Sequence, residues 1–277
     1  MLDKEFLVSN VQHRQTRQGK NYISCTLTAQ DESKISVDGK VWAENVDKVK
    51  ESLCNGNIIK VKEGKEELYN NNPQLNITRV EVTGQVQWGL SLEEANELYE
   101  ELVVFVETQI INEQARNLTC QTLKKYAKNP FFFQAPAAKG HHHSYPGGLL
   151  QHTREVCQMA LALKQSNVYP HINWDIVFSA CTLHDLGKIY DYTLEKGVIE
   201  TTNRIKLTGH LVTTPLEIYD SARILGYEYT PVFENILHAV VAHHGRKEYG
   251  SPQEPATREA WIVHLLDMLS SRVSVME

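Results

Sequence analysis

The chain has 277 residues, 42% of them hydrophobic and 22% charged; that is room for a sizeable core or two domains, and it excludes a wholly disordered polymer. The net charge of −6 is uneven: residues 1–83 carry 12 Lys/Arg against 12 Asp/Glu, and residues 84–277 carry 16 against 22. This gives no support for strong duplex-DNA binding, which usually needs a basic face, leaves room for a local basic stripe, and makes the second half the place where divalent cations are welcome.

Residues 1–83 read as strands and turns. Residues 22–28 alternate, 34–37 and 40–43 flank Asp38-Gly39 as a two-residue hairpin signal, and 57–61 and 74–82 supply further strands. Helical spacing of Val46, Val49 and Leu53 predicts a helix over 45–54, stopped by Asn55-Gly56. Five short strands with one intervening helix fit a small β-barrel of the OB type. Residues 84–90 read as a linker. From Ser91, a helix cap, the chain is predicted to be helical over 91–116, 118–128, 147–166, 173–189, 208–225, 231–244 and 256–275. The expected architecture is therefore a multidomain α and β chain: a barrel over 1–83, then an all-α domain over 91–277. The long loop 129–146 holds Phe131-Phe132-Phe133 and His141-His142-His143, and loops of that length are usually functional. The triple Phe reads better as an apolar plug than as a base-stacking surface.

No apolar run approaches the ~20 residues that span a bilayer, and the first residues, Met-Leu-Asp-Lys-Glu, carry no secretion-signal pattern. The cysteines (Cys25, Cys54, Cys120, Cys157 and Cys181) are odd in number and lack a Cys-x-x-Cys pair. Reduced thiols in a cytoplasmic protein, with no membrane partner, are the expectation.

Chemistry concentrates in the second half, where eleven of the twelve histidines lie. His184-Asp185 closes an apolar helix, and Asp267 sits in another (Trp-Ile-Val-His-Leu-Leu-Asp-Met); a carboxylate is costly to bury there unless something neutralises it. His152, His184, Asp185 and Asp267 together point to a divalent metal, with His210 and His243 as ligands of a second ion. His244 reads as ligand or phosphate contact, and His264 as support behind a carboxylate. Imidazole and carboxylate suit Mn²⁺, Fe²⁺, Co²⁺ or Mg²⁺. One carboxylate, Asp185, can bridge two ions, the arrangement that hydrolyses phosphate esters. Asp185 and Lys188, with His142 and His143, are the candidate catalytic groups, Lys188 and the histidines neutralising phosphate charge.

The His…His-Asp…His…His…Asp series resembles the HD-domain phosphohydrolase superfamily. The stretches Pro-Ala-Ala-Lys-Gly-His-His-His-Ser-Tyr-Pro-Gly-Gly-Leu-Leu-Gln-His, His-Asp-Leu-Gly-Lys and Ala-His-His-Gly-Arg-Lys-Glu-Tyr-Gly-Ser-Pro are similar to YhaM-type 3′-to-5′ exoribonucleases. The resemblance implies an OB-fold ahead of an HD domain, metal ligands at His152, His184, Asp185 and Asp267 with His210 and His243 added, and Mn²⁺ as the favoured activator. It implies a single-stranded RNA substrate, with DNA open as well, cut to nucleoside 5′-monophosphates. On the barrel, Arg14, Arg17, Lys20, Tyr22 and Trp42 are the candidate strand contacts, with Trp42 equally readable as barrel core. Two other functions stay open: hydrolysis of nucleotides or cyclic nucleotides, and nucleic-acid binding without catalysis. A homo-oligomer is open too.

Overall fold

The computed structural model describes residues 4–33, 35–70, 72–140, 143–195 and 197–273. They fall into two compact units: Met1–Trp88 with Leu194–Glu200, and Gly89–Thr193 with Thr201–Glu277.

The first unit is a closed five-stranded barrel, in the order β1-β2-β3-β5-β4 and back to β1. Its strands are β1 (Glu5–Gln15), β2 (Asn21–Ala29), β3 (Ser36–Val41), β4 (Asn57–Tyr69) and β5 (Asn72–Gln85), with helix α1 (Ala43–Val49) between β3 and β4. Only β3–β5 pairs in parallel. The OB-type expectation holds, although the strands that build the barrel are not all the expected ones. Asp38-Gly39 is no turn: it lies inside β3, opposite Thr26 and Cys25 of β2. Glycine is needed there for a different reason, since a Cβ at 39 would stand 2.6 Å from Cys25 Sγ and 3.1 Å from Leu27 Cγ. The fifth strand is instead β1, whose alternation is interrupted. Phe6 and Val8 face the core, then Asn10 takes a positive φ of 52° and the register shifts before Gln12, so that Val11 faces inward next. β5 runs on to Gln85, into the segment expected to be a linker. The core also takes in Val198. Around it Asn55 donates to the Gly197 carbonyl from its side-chain amide (2.9 Å) and its backbone N–H (3.3 Å), and His13 Nδ1 lies 3.0 Å from Glu200 Oε1.

The second unit is helical: α2 (Leu92–Gln109), α3 (Glu113–Ala127), α4 (Gly148–Gln165), α5 (Trp174–Leu183), α6 (Asn203–Leu207), α7 (His210–Leu225), α8 (Pro231–Val241) and α9 (Arg258–Val273). A short hairpin, β6 (Tyr192–Glu195) and β7 (Val198–Thr201), interrupts the run expected to be all helix. Ser91 caps α2 with a reciprocal pair of bonds to Glu94. The break between the helices expected over 91–116 and 118–128 falls earlier, at 110–112. The Asp175 carboxylate accepts the N–H groups of Ile111 (2.8 Å) and Asn112 (3.0 Å), and Asn112 then caps α3. The helix expected over 173–189 stops at Leu183, and a 3₁₀ turn follows over Leu186–Tyr190. In the loop ahead of α4, Phe132 is fully buried and packs edge-on to Tyr99, the plug that was expected. Among the described residues no helix is long and apolar enough to cross a membrane.

Candidate metal centre

The early end of α5 puts two neighbouring side chains to one use. On a continuing helix, residues i and i+1 point about 100° apart. Because α5 stops at Leu183, His184 and Asp185 both turn to the same centre, each almost fully buried. Gly187 in the following turn admits the next ligand. A Cβ there would meet Thr214 Oγ1 at 2.6 Å and His210 Cα at 3.3 Å, so the glycine lets α7 close down, and its N–H donates to Thr214 Oγ1 at 3.0 Å. The same device recurs at α8, which ends at Val241. Gly245, at φ 78°, follows His243 and His244 and leaves the room that the His264 ring occupies.

Seven side chains from five segments meet as two adjoining groups: His152, His184, Asp185 and Asp267, and His210, His243 and His244. Asp185 lies between them. Its Oδ2 is 3.4 Å from His152 Nε2 and 3.5 Å from His184 Nε2, while its Oδ1 is 3.5 Å from both His210 Nε2 and His243 Nε2. Asp267 Oδ1 completes the first group, 3.1 Å from His152 Nε2 and 3.7 Å from His184 Nε2.

The outer nitrogens of all five rings are anchored. His184 Nδ1 donates to the Cys181 carbonyl (2.9 Å), His243 Nδ1 to Val240 (2.5 Å), His244 Nδ1 to Tyr249 (3.0 Å), and His210 Nδ1 to Asp191 Oδ2 (2.9 Å). His152 Nδ1 bonds Ser270 Oγ at 3.0 Å. Carbonyl and carboxylate oxygens only accept, so Nδ1 of His184, His210, His243 and His244 carries the proton; the Ser270 hydroxyl donates to Glu155 and so accepts from His152 Nδ1, and the Nε2 lone pairs face inward. His152 and His184 then oppose each other at 3.2 Å, and His210 and His244 at 3.4 Å. Two facing lone pairs repel unless a positive charge lies between them. Among the described residues, Asp185 Oδ1 and His243 Nε2 are buried 3.5 Å apart without a well-formed hydrogen bond, a costly state that a cation relieves. The donor set therefore fits divalent metal.

The electrostatics agree. Burial pushes His152, His210 and His243 below the usual histidine range, and burial with the neighbouring His243 takes His244 down to about 4, which favours the neutral form that can ligate a metal. Burial opposes the charge on Asp185, but Lys188 and the histidines hold its carboxyl well below the usual range; His152 and His184 do the same for Asp267. His184 is drawn upward against its burial by Asp185 and Asp267, which marks this position as one that favours positive charge.

The other expected residues take distinct places. Lys188 is buried with Nζ 2.5 Å from Asp185 Oδ2, so it neutralises the shared carboxylate. His143 is buried and bonded to Glu155 Oε1 at 3.0 Å, its ring centroid 5.6 Å from that of His152. His141 and His142 lie outside the described residues. His264 Nδ1 donates to the His243 carbonyl at 2.7 Å, so it supports the backbone of a histidine and not a carboxylate. Cys181 meets His184 through its carbonyl, not its thiol. Asp191 was missed. It is fully buried and its Oδ2 accepts both the backbone N–H of His210 (3.0 Å) and that ring's Nδ1. An Asp six residues after Asp185, in a stretch that is otherwise mostly apolar, was the available signal.

On the barrel, Arg14 is exposed on β1 and Arg17 and Lys20 are exposed in the β1–β2 turn. Tyr22 lies against Trp42, ring centroids 5.5 Å apart and 33° between planes. Trp42 is 38% exposed and donates to Asn76 Oδ1, so it belongs to the surface and not the core. Lys40 and Tyr69 join this face: Lys40 Nζ stands 5.7 Å from the Trp42 ring centroid and 4.6 Å from that of Tyr69. Tyr69 was missed because β4 was expected to end at 61.

The HD domain profile matches residues 149–272, and a helicase profile (TraI_2) matches residues 83–176. No solved structure matches significantly. The 3′-5′ exoribonuclease YhaM of Halalkalibacterium halodurans is 28% identical over 285 residues, covering all of this chain and 85% of the relative. That of Bacillus licheniformis is 30% identical over 269 residues, 94% of this chain and 81% of the relative, and that of a Geobacillus species is 34% identical over 174 residues, 60% and 49%. With similarity running through both the barrel and the HD unit, the chain belongs to the 3′-5′ exoribonuclease YhaM family of hydrolases.

Proposed function

We propose that the chain removes nucleoside 5′-monophosphates one at a time from the 3′ end of single-stranded RNA, using two divalent ions. The division of the Asp185 oxygens between the two ligand groups carries this reading. Asp185 would bridge the pair, with His152, His184 and Asp267 holding one ion, and His210, His243 and His244 the other. When bound, such a pair supplies an activated water and charge neutralisation for phosphodiester hydrolysis. Mn²⁺ is the favoured occupant, with Mg²⁺, Co²⁺ and Fe²⁺ as alternatives for the same mixed nitrogen and oxygen donors.

The protein's own groups then have separable roles. Lys188 offsets carboxylate charge beside Asp185 and would stabilise charge developing on a phosphate held at the centre. Neutral His244, the least enclosed of the ligand histidines, is the one placed to exchange between ligand and substrate. Asp191 keeps His210 in a single tautomer. On the barrel, Tyr22, Trp42, Lys40 and Tyr69 form an aromatic and cationic face suited to stacked bases and phosphates, and Arg14, Arg17 and Lys20 extend its positive charge. The relatives' name, exoribonuclease, favours RNA; DNA strands are the natural second substrate to assay.

The test is product analysis on 5′-labelled RNA with Mn²⁺. Stepwise shortening, mononucleotide products, inhibition by chelator and slowing by a 3′-phosphate are expected. Oligonucleotide products, or cutting that ignores the 3′-phosphate, would overturn the proposal. Hydrolysis of free nucleotides with strands left intact would point to a small-molecule phosphohydrolase instead.

A further inference from the structure

Behind His152 a chain of hydrogen bonds leads away from the metal centre to the loop ahead of α4. Glu155, on α4 three residues after His152, has Oε1 3.0 Å from His143 Nε2 and 3.1 Å from Gln151 Nε2. Its Oε2 accepts from Ser270 Oγ of α9 at 3.1 Å, and Ser270 Oγ lies 3.0 Å from His152 Nδ1. We propose that Glu155 and Ser270 are positioning residues of the metal centre, which lock the tautomer of His152 and tie it to His143.

The argument is one of proton counting. A carboxylate only accepts, and a serine hydroxyl has one hydrogen to give. Ser270 gives it to Glu155, so the Ser270 oxygen must accept from His152, and Nδ1 of His152 must carry its proton. The Nε2 lone pair is then committed to the centre. The other four ligand rings reach this state through acceptors that bond them directly: three backbone carbonyls and Asp191. His152 is the exception. A hydroxyl on its own can donate or accept, and the carboxylate behind it removes the choice.

The same carboxylate holds His143. That residue adopts φ 49°, unusual for a residue with a side chain, and its carbonyl accepts from Ala137 N–H at 3.1 Å. A Cβ at position 148 would stand 2.1 Å from that carbonyl oxygen, so Gly148 is what lets the loop come in so close. The loop and a metal ligand thus share one anchor, Glu155, and loss of that anchor should be felt at both.

The inference rests on His152 being a metal ligand, and the experiment separates the two ideas. Mn²⁺ affinity of the full chain is measured by titration calorimetry for Glu155→Ala, Ser270→Ala, the double variant, Asp185→Ala and the neighbouring Ser271→Ala. Each of Glu155→Ala and Ser270→Ala should bind Mn²⁺ about 10–100-fold more weakly, the range for groups that orient a ligand, with the metal-free melting temperature little changed. The double variant should be no weaker than the worse single one, because both break one chain of bonds, and Ser271→Ala should match the parent. Parental affinity in either single variant, or losses that multiply in the double, would overturn the relay. Should Glu155→Ala fail to fold, Glu155→Gln keeps the volume, removes the obligate acceptor, and must still lose affinity. If Asp185→Ala keeps parental Mn²⁺ uptake, the metal centre itself is wrong; if Asp185→Ala loses it while the other variants do not, only the relay is.

Discussion

The barrel and the helical unit put polar side chains to opposite uses. In the helical unit they are buried, face inward, and are held from behind by carbonyls or carboxylates, so geometry is settled before anything binds. On the barrel the candidate contacts are exposed or half-exposed, and several of them lean on one another: Tyr22 against Trp42, and Lys40 between Trp42 and Tyr69. A buried set of ligands cannot tolerate a missing charge, whereas an exposed stacking face loses affinity one contact at a time. Substitutions should therefore fail abruptly in one unit and gradually in the other.

The largest effect is expected for Asp185→Ala. Removing the carboxylate shared by both ligand groups should cut turnover by about 10²–10³-fold or more while circular dichroism still reports the helices; a variant that keeps the parental rate would break the contrast. Asp191→Asn should come next. The amide can still accept from His210, but it can also present its NH₂ and release the ring's tautomer, so a fall of about 10–100-fold in Mn²⁺ affinity is expected. Trp42→Ala should be mildest. One stacked base is worth about 1–3 kcal/mol, which should appear as a higher KM on RNA with hydrolysis of a small phosphodiester unchanged; equal losses on both substrates would show that the barrel face serves the fold instead. This point substitution is cleaner than deleting residues 1–83, because deletion would strip Val198 of the core that buries it.

The sequence was legible where chemistry forbids alternatives. A carboxylate among apolar neighbours, as at Asp185 or Asp267, announces a partner, and the histidines that the sequence singled out, His152, His184, His210, His243 and His244, are brought together beside them. It was less legible where one residue serves two purposes. Glycine 39 looks like a turn because turns need glycine, yet here it makes space under Cys25. β1 escaped because the bulge at Asn10 shifts the inward side chains out of a period of two, and the count of five came from splitting β3 in two at Asp38-Gly39. Glu155 and Ser270 are ordinary residues until the fold places them behind a histidine, and nothing local marks them; Asp191 had only its mostly apolar surroundings to mark it.

The central claim is that Asp185 stands between two cation sites. Its most direct test is the number of Mn²⁺ ions bound per chain at saturation, by elemental analysis of metal-stripped and reloaded protein, with electron paramagnetic resonance to detect coupling between them. The account predicts two ions, magnetically coupled through a shared carboxylate. No uptake, or a single uncoupled ion at saturation, would contradict it.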